Sequence, residues 1–574
     1  MTKPDLVLLH APSNHDFRKR AVMHGPISDV IPSTPLFEMY PIGFVSIAGY
    51  LEQHGLQARI VNIANRMLQD PDFDVEDFIG RLPAVAFGID LHWLPHAQGS
   101  LRLAELVKQQ HPQTPVIMGG LSATYFHQQL IDYPQVDYVV RGDSTEAPVL
   151  ELVKRIKAGA SVEDIPNLTW KDGAGAHYNP LSHVPSQLSD VPLDYGYPIR
   201  SVVKYRDLAS VLPFKGWLDY PITAALTCRG CSHECITCGG SRYAYRNTCN
   251  RGAPAYRDPK LVARDIQSIQ RFLKGPVFVI GDIRQAGEDY ADQVLQAMKA
   301  KRVRGPIVLE LFNPAPATFF QKVKKAIPDF SFEMSPESHD ETVRHAFGKG
   351  YNNRDLEETI KAALESGCRK FDLFFMIGLP RQTSRSVMDT AAYCRTLLKE
   401  FKGKGRLQPM ISPLAPFVDP GSRVFEDPDK YGYRLRLHTL EEHRQALLSP
   451  SWKYMLNYET EWLSRAQIVE TTYEAGIAFN SMKRDFGLIS PQAATAVETR
   501  ARQAVELMET IDRIVAQQNP ELEEREMARL KELMEQLTST TCLKKELEWP
   551  AVPFFRNLPR MLWAFCTGRA SGAL

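Results

Sequence analysis

The chain has 574 residues, a formal net charge of +1, 44% hydrophobic residues and 24% charged residues. That length exceeds what one hydrophobic core holds, so about three or four domains are expected, and the near-neutral balance argues against a broad nucleic-acid surface. The first apolar run, Leu6–Leu9, is too short for a signal-peptide core, and no stretch approaches the roughly 20 apolar residues of a membrane span. A cytoplasmic protein with reduced thiols is expected. An odd total of 9 cysteines does not suggest a disulfide scaffold. Four of them crowd between Cys228 and Cys238, which suggests a metal or cluster site.

Residues 1–157 alternate strand and helix. Strands are predicted over Asp5–His10, Arg59–Ile63, Ala84–Asp90, Pro115–Gly120 and Tyr138–Gly142, with helices such as Ile42–His54 and Leu101–Gln110 between them. Short apolar strands separated by helices imply an α/β domain of the flavodoxin-like, doubly wound type, with a parallel sheet covered on both faces. Its ligands would bind at the carboxyl ends of the strands. Residues 158–215, rich in Pro, Gly, Asp and Ser, read as a linker.

Alternation returns over 216–440. Strands are predicted at Ile222–Thr227, Val277–Gly281, Ile307–Phe312, Phe330–Met334, Phe371–Ile377 and Leu407–Ser412. Six units suggest a partial (β/α)6 barrel, and barrel chemistry sits at the carboxyl ends of strands. Residues 441–574 form a helical C-terminal region, with long amphipathic helices over Ala493–Ala516 and Pro520–Leu537. Its position suggests that it closes the barrel mouth. The last stretch mixes Phe554, Phe555, Leu558, Met561, Leu562, Trp563 and Phe565 with Arg556, Arg560 and Arg569. Either a membrane-surface segment or a tail docked on its own protein gives that pattern.

The cysteine cluster reads Thr227-Cys228-Arg229-Gly230-Cys231-Ser232-His233-Glu234-Cys235-Ile236-Thr237-Cys238-Gly239-Gly240, directly after the first barrel strand. Taken as CxxC-x3-CxxC, all four thiols could bind one metal. A zinc site usually separates its two pairs by about a dozen residues or more, and the gaps differ from the bacterial ferredoxin run. Taken as CxxxCxxC, the ligands are Cys231, Cys235 and Cys238, which leaves one iron of a 4Fe-4S cluster open for chemistry. Cys228 is then a structural thiol or a reserve ligand, with the structural role preferred. Cys249, Cys368, Cys394, Cys542 and Cys566 are scattered and read mostly as apolar fillers.

The CxxxCxxC spacing resembles the signature of the radical S-adenosylmethionine (radical SAM) superfamily. In that family SAM chelates the open iron, and one electron splits its sulfonium to give a 5′-deoxyadenosyl radical. The resemblance covers the barrel. Gly281-Asp282 is similar to the family's Gly-Gly-Glu segment for the amino group of SAM. Glu337-Ser338 is similar to its ribose and carboxylate segment, with His339 in place of a glycine. Gly378-Leu379-Pro380 is similar to its turn near the adenine, although Arg381-Gln382 replaces Gly-Glu. Ile236 departs from the aromatic residue often found between the last two cysteines.

The order of domains resembles cobalamin-dependent members, in which a cobalamin-binding domain precedes the barrel. Pro41-Ile42-Gly43 opens a helix as in that group. Gly119-Gly120 closes the fourth strand, Ser122 and Thr124 follow as candidate donors, and Arg141-Gly142 through Glu146 resembles the turn after the fifth strand. The Asp-x-His-x-x-Gly motif fails after the first strand, where His10-Ala11-Pro12-Ser13-Asn14 stands. Asp90-Leu91-His92 looks similar but follows the third strand, so His92 is expected near the ligand rather than on cobalt.

The resemblance implies a cobalamin-dependent radical SAM enzyme, a methyltransferase acting on an unactivated carbon. Its cofactors would be a 4Fe-4S cluster, SAM and cobalamin. Its partners would be a small or amphiphilic substrate and a one-electron reductant of flavodoxin or ferredoxin type. A radical cyclisation, oxidation or rearrangement without methyl transfer is the alternative within enzymes, and a non-catalytic metal or redox sensor using the clustered cysteines the alternative outside them.

Overall fold

The structure is a computed structural model and describes residues 3–26, 32–189, 191, 193–401, 405–414, 416–537 and 541–557. Strands β1 (Leu6–His10), β2 (Ala58–Asn62), β3 (Ala86–Asp90), β4 (Val116–Gly119) and β5 (Tyr138–Val140) pair in parallel in the order β2-β1-β3-β4-β5. All residues of β1 and β3 are buried, as apolar strands covered on both faces require. This is the expected doubly wound sheet, with helix Ile42–Gln53 on one side and helix Ala97–Gln110 on the other.

The stretch expected as a linker is structured. Strands β6 (Leu168–Asp172) and β7 (Gly175–Tyr178) add an antiparallel hairpin to the edge of β5, and helix Tyr197–Tyr205 covers the opposite edge. Tyr197 is buried there, accepting from Ile60 N and donating to Ala58 O. The Gly- and Asp-rich composition marked the tight turn at 172–175. Strands this short carry too few apolar positions to show a period.

The barrel strands are β8 (Thr223–Leu226), β11 (Val277–Ile280), β12 (Ile307–Leu311), β13 (Phe330–Glu337), β14 (Phe371–Ile377) and β15 (Leu407–Pro413), parallel and in chain order. Two short pairs flank them: β9 (Cys228–Arg229) with β10 (Ala255–Tyr256), and β16 (Tyr433–Leu435) with β17 (Tyr458–Thr460). Helices Arg465–Asp485, Pro491–Val515 and Pro520–Gln536 follow, the first packed beside β15.

Residues 443–458 pack behind the cavity-wall residue Phe417 and beside Gly378, on the expected side, but the last described segment takes a different place. Trp549 stacks on Phe278, Lys370 donates to Glu546 O at 2.6 Å, and Phe554 N donates to Leu218 O at 2.7 Å. These groups lie at the amino ends of the strands, so the segment 541–557 seals the barrel floor rather than its mouth. Within the described residues the tail therefore docks on its own protein. Leu558, Arg560, Met561, Leu562, Trp563, Phe565, Cys566 and Arg569 lie outside the described residues. No described helix is long and apolar enough to cross a membrane.

Two ion pairs join the sheet domain to the barrel. Arg251 meets Asp143 with side chains 2% and 5% exposed, and Arg229 meets Glu146 with 11% and 6%. Ser144 Oγ accepts from both arginines at 3.2 Å. Removing one partner of such a pair leaves a buried charge alone. Arg251→Ala should lower stability by about 3–5 kcal/mol, read from the denaturant midpoint, and Arg251→Ala with Asp143→Ala should cost less than the single change. A double change that costs the sum of the two single changes would mean that the pair carries no electrostatic weight.

Candidate active site

The carboxyl ends of both sheets open on one cavity of about 690 Å³. Its barrel wall contains Cys228, Cys231, Cys235 and Cys238. Strand β8 delivers the chain to Thr227, Cys228-Arg229 is pinned by pairing with β10, and Gly230 turns with φ +90° into the loop that carries the other three thiols. The loop is held in place. Ile236 N donates to Phe347 O, Gly239 N to Asp419, and Ser232 N to Gln285. A side chain at Gly348 would strike Glu234 O at 2.9 Å, so a residue without Cβ lets the loop close.

All four thiols are free. Backbone N–H groups point at two sulfurs: His233 to Cys231 at 3.4 Å and Gly240 to Cys238 at 3.3 Å. Burial pushes the thiols up, Cys231 to about 11, so without a cation they stay protonated. Soft sulfurs converging on a cavity wall suit iron, and N–H groups aimed at sulfur suit the thiolate form. The donor set therefore fits a cluster. Cys228 is held on β9, and a methyl at Gly281 would lie 3.2 Å from its sulfur.

The expected SAM residues divide. Gly281 lines the cavity and its N–H donates to Glu310 Oε2 at 2.8 Å. Asp282 is engaged elsewhere. It caps Arg284 N, pairs with the Arg284 guanidinium at 2.5 Å and accepts from Phe312 N, and it is not on the wall. Glu337 lines the cavity with φ +67°; one oxygen pairs with Lys349 at 2.6 Å and the other has no hydrogen-bond partner among the described residues. Such an orphaned buried oxygen fits a ligand hydroxyl or ammonium. Ser338 is off the wall and caps Asp340 N at 3.1 Å. Gly378 accepts from Tyr433 Oη at 2.9 Å and sits behind wall residue Met376. Gln382 accepts from the N–H groups of Gly378 and Leu379, so the replacement of Gly-Glu leaves the turn braced. His339 bonds Thr390 Oγ1 at 2.9 Å, away from the wall.

On the opposite wall stand Gly119, Gly120 and Gly142, with Leu8, Phe44, Ile47, Ile117 and Val140 forming an apolar slot. A bulky ligand with an apolar face fits such a slot. Ser122 and Thr124 are not on the wall. Thr124 Oγ1 donates to Gly120 O and accepts from Gly142 N at 2.9 Å, so it ties the two glycine turns together. Asp90 and His92 border the same wall. Burial opposes ionisation of Asp90, but His10 and His92 outweigh it and hold its carboxyl below the usual range.

The sequence reading missed Glu310, Glu333 and Lys349, all on the wall. Glu310, Glu333 and Asp372 stand in register on β12, β13 and β14. The signal was present as single acids inside apolar strands, Ile307-Val-Leu-Glu-Leu and Phe330-Ser-Phe-Glu-Met.

Two family models match the chain. The one described as B12 binding domain covers residues 29–150, and the one described as Radical SAM superfamily covers 226–394. The chain thus carries a radical SAM domain with a B12-binding domain ahead of it. The two descriptions agree with the cobalamin and SAM expected from the sequence. The chain is 24% identical over 272 residues to the hopanoid C-3 methylase of Methylococcus capsulatus, covering 47% of each chain. It is 23% identical over 273 residues to the anaerobic magnesium-protoporphyrin IX monomethyl ester cyclase of Synechocystis, covering 46% of this chain and 48% of the other. The chain thus spans about half the length of these curated relatives. The fold is similar to that of OxsB, a cobalamin-dependent S-adenosylmethionine radical enzyme solved with aqua-cobalamin and S-adenosylmethionine, at TM-score 0.57 and 12% identity over 100% of this chain and 81% of that one.

Burial raises Glu310 from 4.5 to about 7, against the Gly281 hydrogen bond and aided by the Asp282 charge. Between these values the unfolded group has ionised and the folded one has not, so stability falls as pH rises through that window. Glu333 and Asp372 are raised too and act in the same direction. Glu310→Gln should flatten part of the decline in the urea midpoint of the cofactor-free chain between pH 5 and pH 8. A variant with the full wild-type slope would show that Glu310 is not its source.

Proposed function

We propose that this chain methylates an unactivated carbon of a small or amphiphilic substrate, as a cobalamin-dependent radical SAM enzyme. One observation carries the reading: the cysteine triad and the glycine-lined cobalamin wall border a single cavity. When bound, the cluster supplies the electron that splits SAM to a carbon radical, and cobalamin supplies the methyl group.

The rest is work for the chain's own residues. Cys231, Cys235 and Cys238 hold iron and leave one position open to SAM. Gly281 and Glu310 receive the ammonium of SAM, with Asp282 fixing their turn through Arg284 and Phe312. Glu337 Oε2 accepts a hydroxyl, and Lys349 aims that carboxyl and opposes the upward shift that its burial imposes. Ser338 and Gly378 shape the two turns behind these contacts. Gly119, Gly120 and Gly142 let the backbone approach the cobalamin, while Ser122 and Thr124 brace their loops. The apolar wall of Leu8, Phe44, Ile47 and Ile117 excludes water from the reacting carbon. An external one-electron donor completes the cycle.

Cyclisation without methyl transfer is the second reading, favoured by the similarity to the cyclase of Synechocystis. Anaerobic reconstitution should give about four irons per chain in wild type and in Cys228→Ala, and should fail in Cys231→Ala, Cys235→Ala and Cys238→Ala. Loss of the cluster in Cys228→Ala would overturn the three-ligand set. With substrate and SAM carrying a labelled methyl group, label should appear in a product heavier by one methyl. A product without label would favour the second reading.

A further inference from the structure

Four ionisable groups cluster at the ends of β1 and β3: His10, Asp90, His92 and His96. Ligand atoms of the first three lie within 4.8 Å of one another. The cluster does not form an ordinary three-residue cation site, because His10 has no nitrogen to spare. Its Nδ1 bonds Asp90 at 3.0 Å and its Nε2 bonds Phe37 O at 3.1 Å, with the side chain fully buried. His96 is buried, bonds Ala11 O through Nδ1 at 3.2 Å and is not on the cavity wall.

His92 differs on each count. It lines the cavity and is 29% exposed. Its Nδ1 donates to Asp90 Oδ2 at 2.5 Å, which fixes the tautomer with the lone pair on Nε2. No hydrogen bond reaches that Nε2 among the described residues. A histidine that gives one ring N–H to a carboxylate and keeps the other nitrogen bare is the arrangement metal-binding imidazoles use.

The backbone holds the ring against the cobalamin wall. Leu91 N donates to Gly119 O at 2.7 Å and Ala123 N to Leu91 O at 3.0 Å, clamping the loop to the glycine turn. Gly120, at φ +117°, packs so closely that a Cβ would lie 2.5 Å from His92 N and Cα. From the other side, Trp93 Nε1 donates to Asp419 at 3.3 Å, which joins the loop to the barrel.

We propose that His92 is an axial ligand of the cobalt of bound cobalamin, from the side of the N-terminal sheet, with Asp90 as its positioning residue. The Nε2 lone pair forms the cobalt–nitrogen bond, and the water or nucleotide base that held that position leaves. The proposal rests on the cobalamin reading. It places the ligand on the loop after the third strand, opposite to what the sequence order alone suggested.

The test is electron paramagnetic resonance of the full chain loaded with cobalamin and reduced to cobalt(II). Ligation by nitrogen splits each cobalt line into a triplet, and nitrogen-15 histidine labelling should turn the triplets into doublets. His92→Ala should keep cobalamin and lose the doublets; His92→Gln, whose amide can still donate to Asp90, checks that their loss is not a folding defect. Asp90→Asn should keep the nitrogen splitting with altered cobalt hyperfine spacing. Bound cobalamin without nitrogen splitting overturns the proposal. Triplets insensitive to the label overturn it in favour of the cofactor's own base, and doublets that persist in His92→Ala assign another histidine. A wild-type chain that retains no cobalamin overturns the cofactor reading itself, and the proposal with it.

Discussion

Arg229 and Arg251 leave the barrel's first loop and enter the turn after β5, where Glu146 and Asp143 meet them almost out of reach of water. Burial alone would keep the Glu146 carboxyl neutral, but Arg229 outweighs it and holds the group below its ordinary range. Buried pairs of this kind add little stability over a well-packed apolar seam. Their effect is directional: a misplaced seam leaves charges unpaired, so one docking is strongly preferred. That docking turns the carboxyl ends of two separate parallel sheets toward each other. Ser46, on the helix that covers the first sheet, also donates to Glu146 at 2.6 Å, so the seam reaches into the wall of the cavity.

The cavity that results is chemically uneven. One wall is an apolar slot with three glycines, bordered by Asp90 and His92, and the other carries thiols and acids. The thiols and the Glu310–Glu333–Asp372 row are all displaced toward their neutral forms by burial. Groups of this kind cost stability in a chain without ligands and are rewarded when a cation arrives. Lys349 and Arg284 show the other solution, in which the chain supplies the cation itself and fixes a carboxylate in place. The distinction separates residues available to a ligand from residues that hold the frame. Asp282 and Glu337 resemble family positions equally well, yet only Glu337 keeps an oxygen free.

Much of this was legible in the chain. Strand–helix alternation located all eleven strands of the two parallel arrays, because apolar strands covered on both faces must be written as short apolar runs. The cysteine spacing marked the loop after β8. The hairpin of β6 and β7 was not legible, since its strands are short and half-exposed. The docking of the tail on the barrel floor was not legible either. Trp549 stacks on Phe278, a residue far away in sequence, and no local pattern in either stretch points to the other.

By itself, the sequence determined the two sheet domains, their order, the place of the cysteine loop and the glycine turns, all of which are local patterns with local physical causes. Tertiary structure alone decided which members of each motif face the cavity. It spent Asp282 on Arg284 and Thr124 on Gly142, brought Glu310, Glu333 and Lys349 to the wall, and set Asp90 between His10 and His92. The reason is that availability to a ligand depends on the partners a side chain finds across the fold. Many of those partners lie far away in sequence, 80 residues for His10 and Asp90 and 326 for Trp93 and Asp419, where no spacing rule reaches.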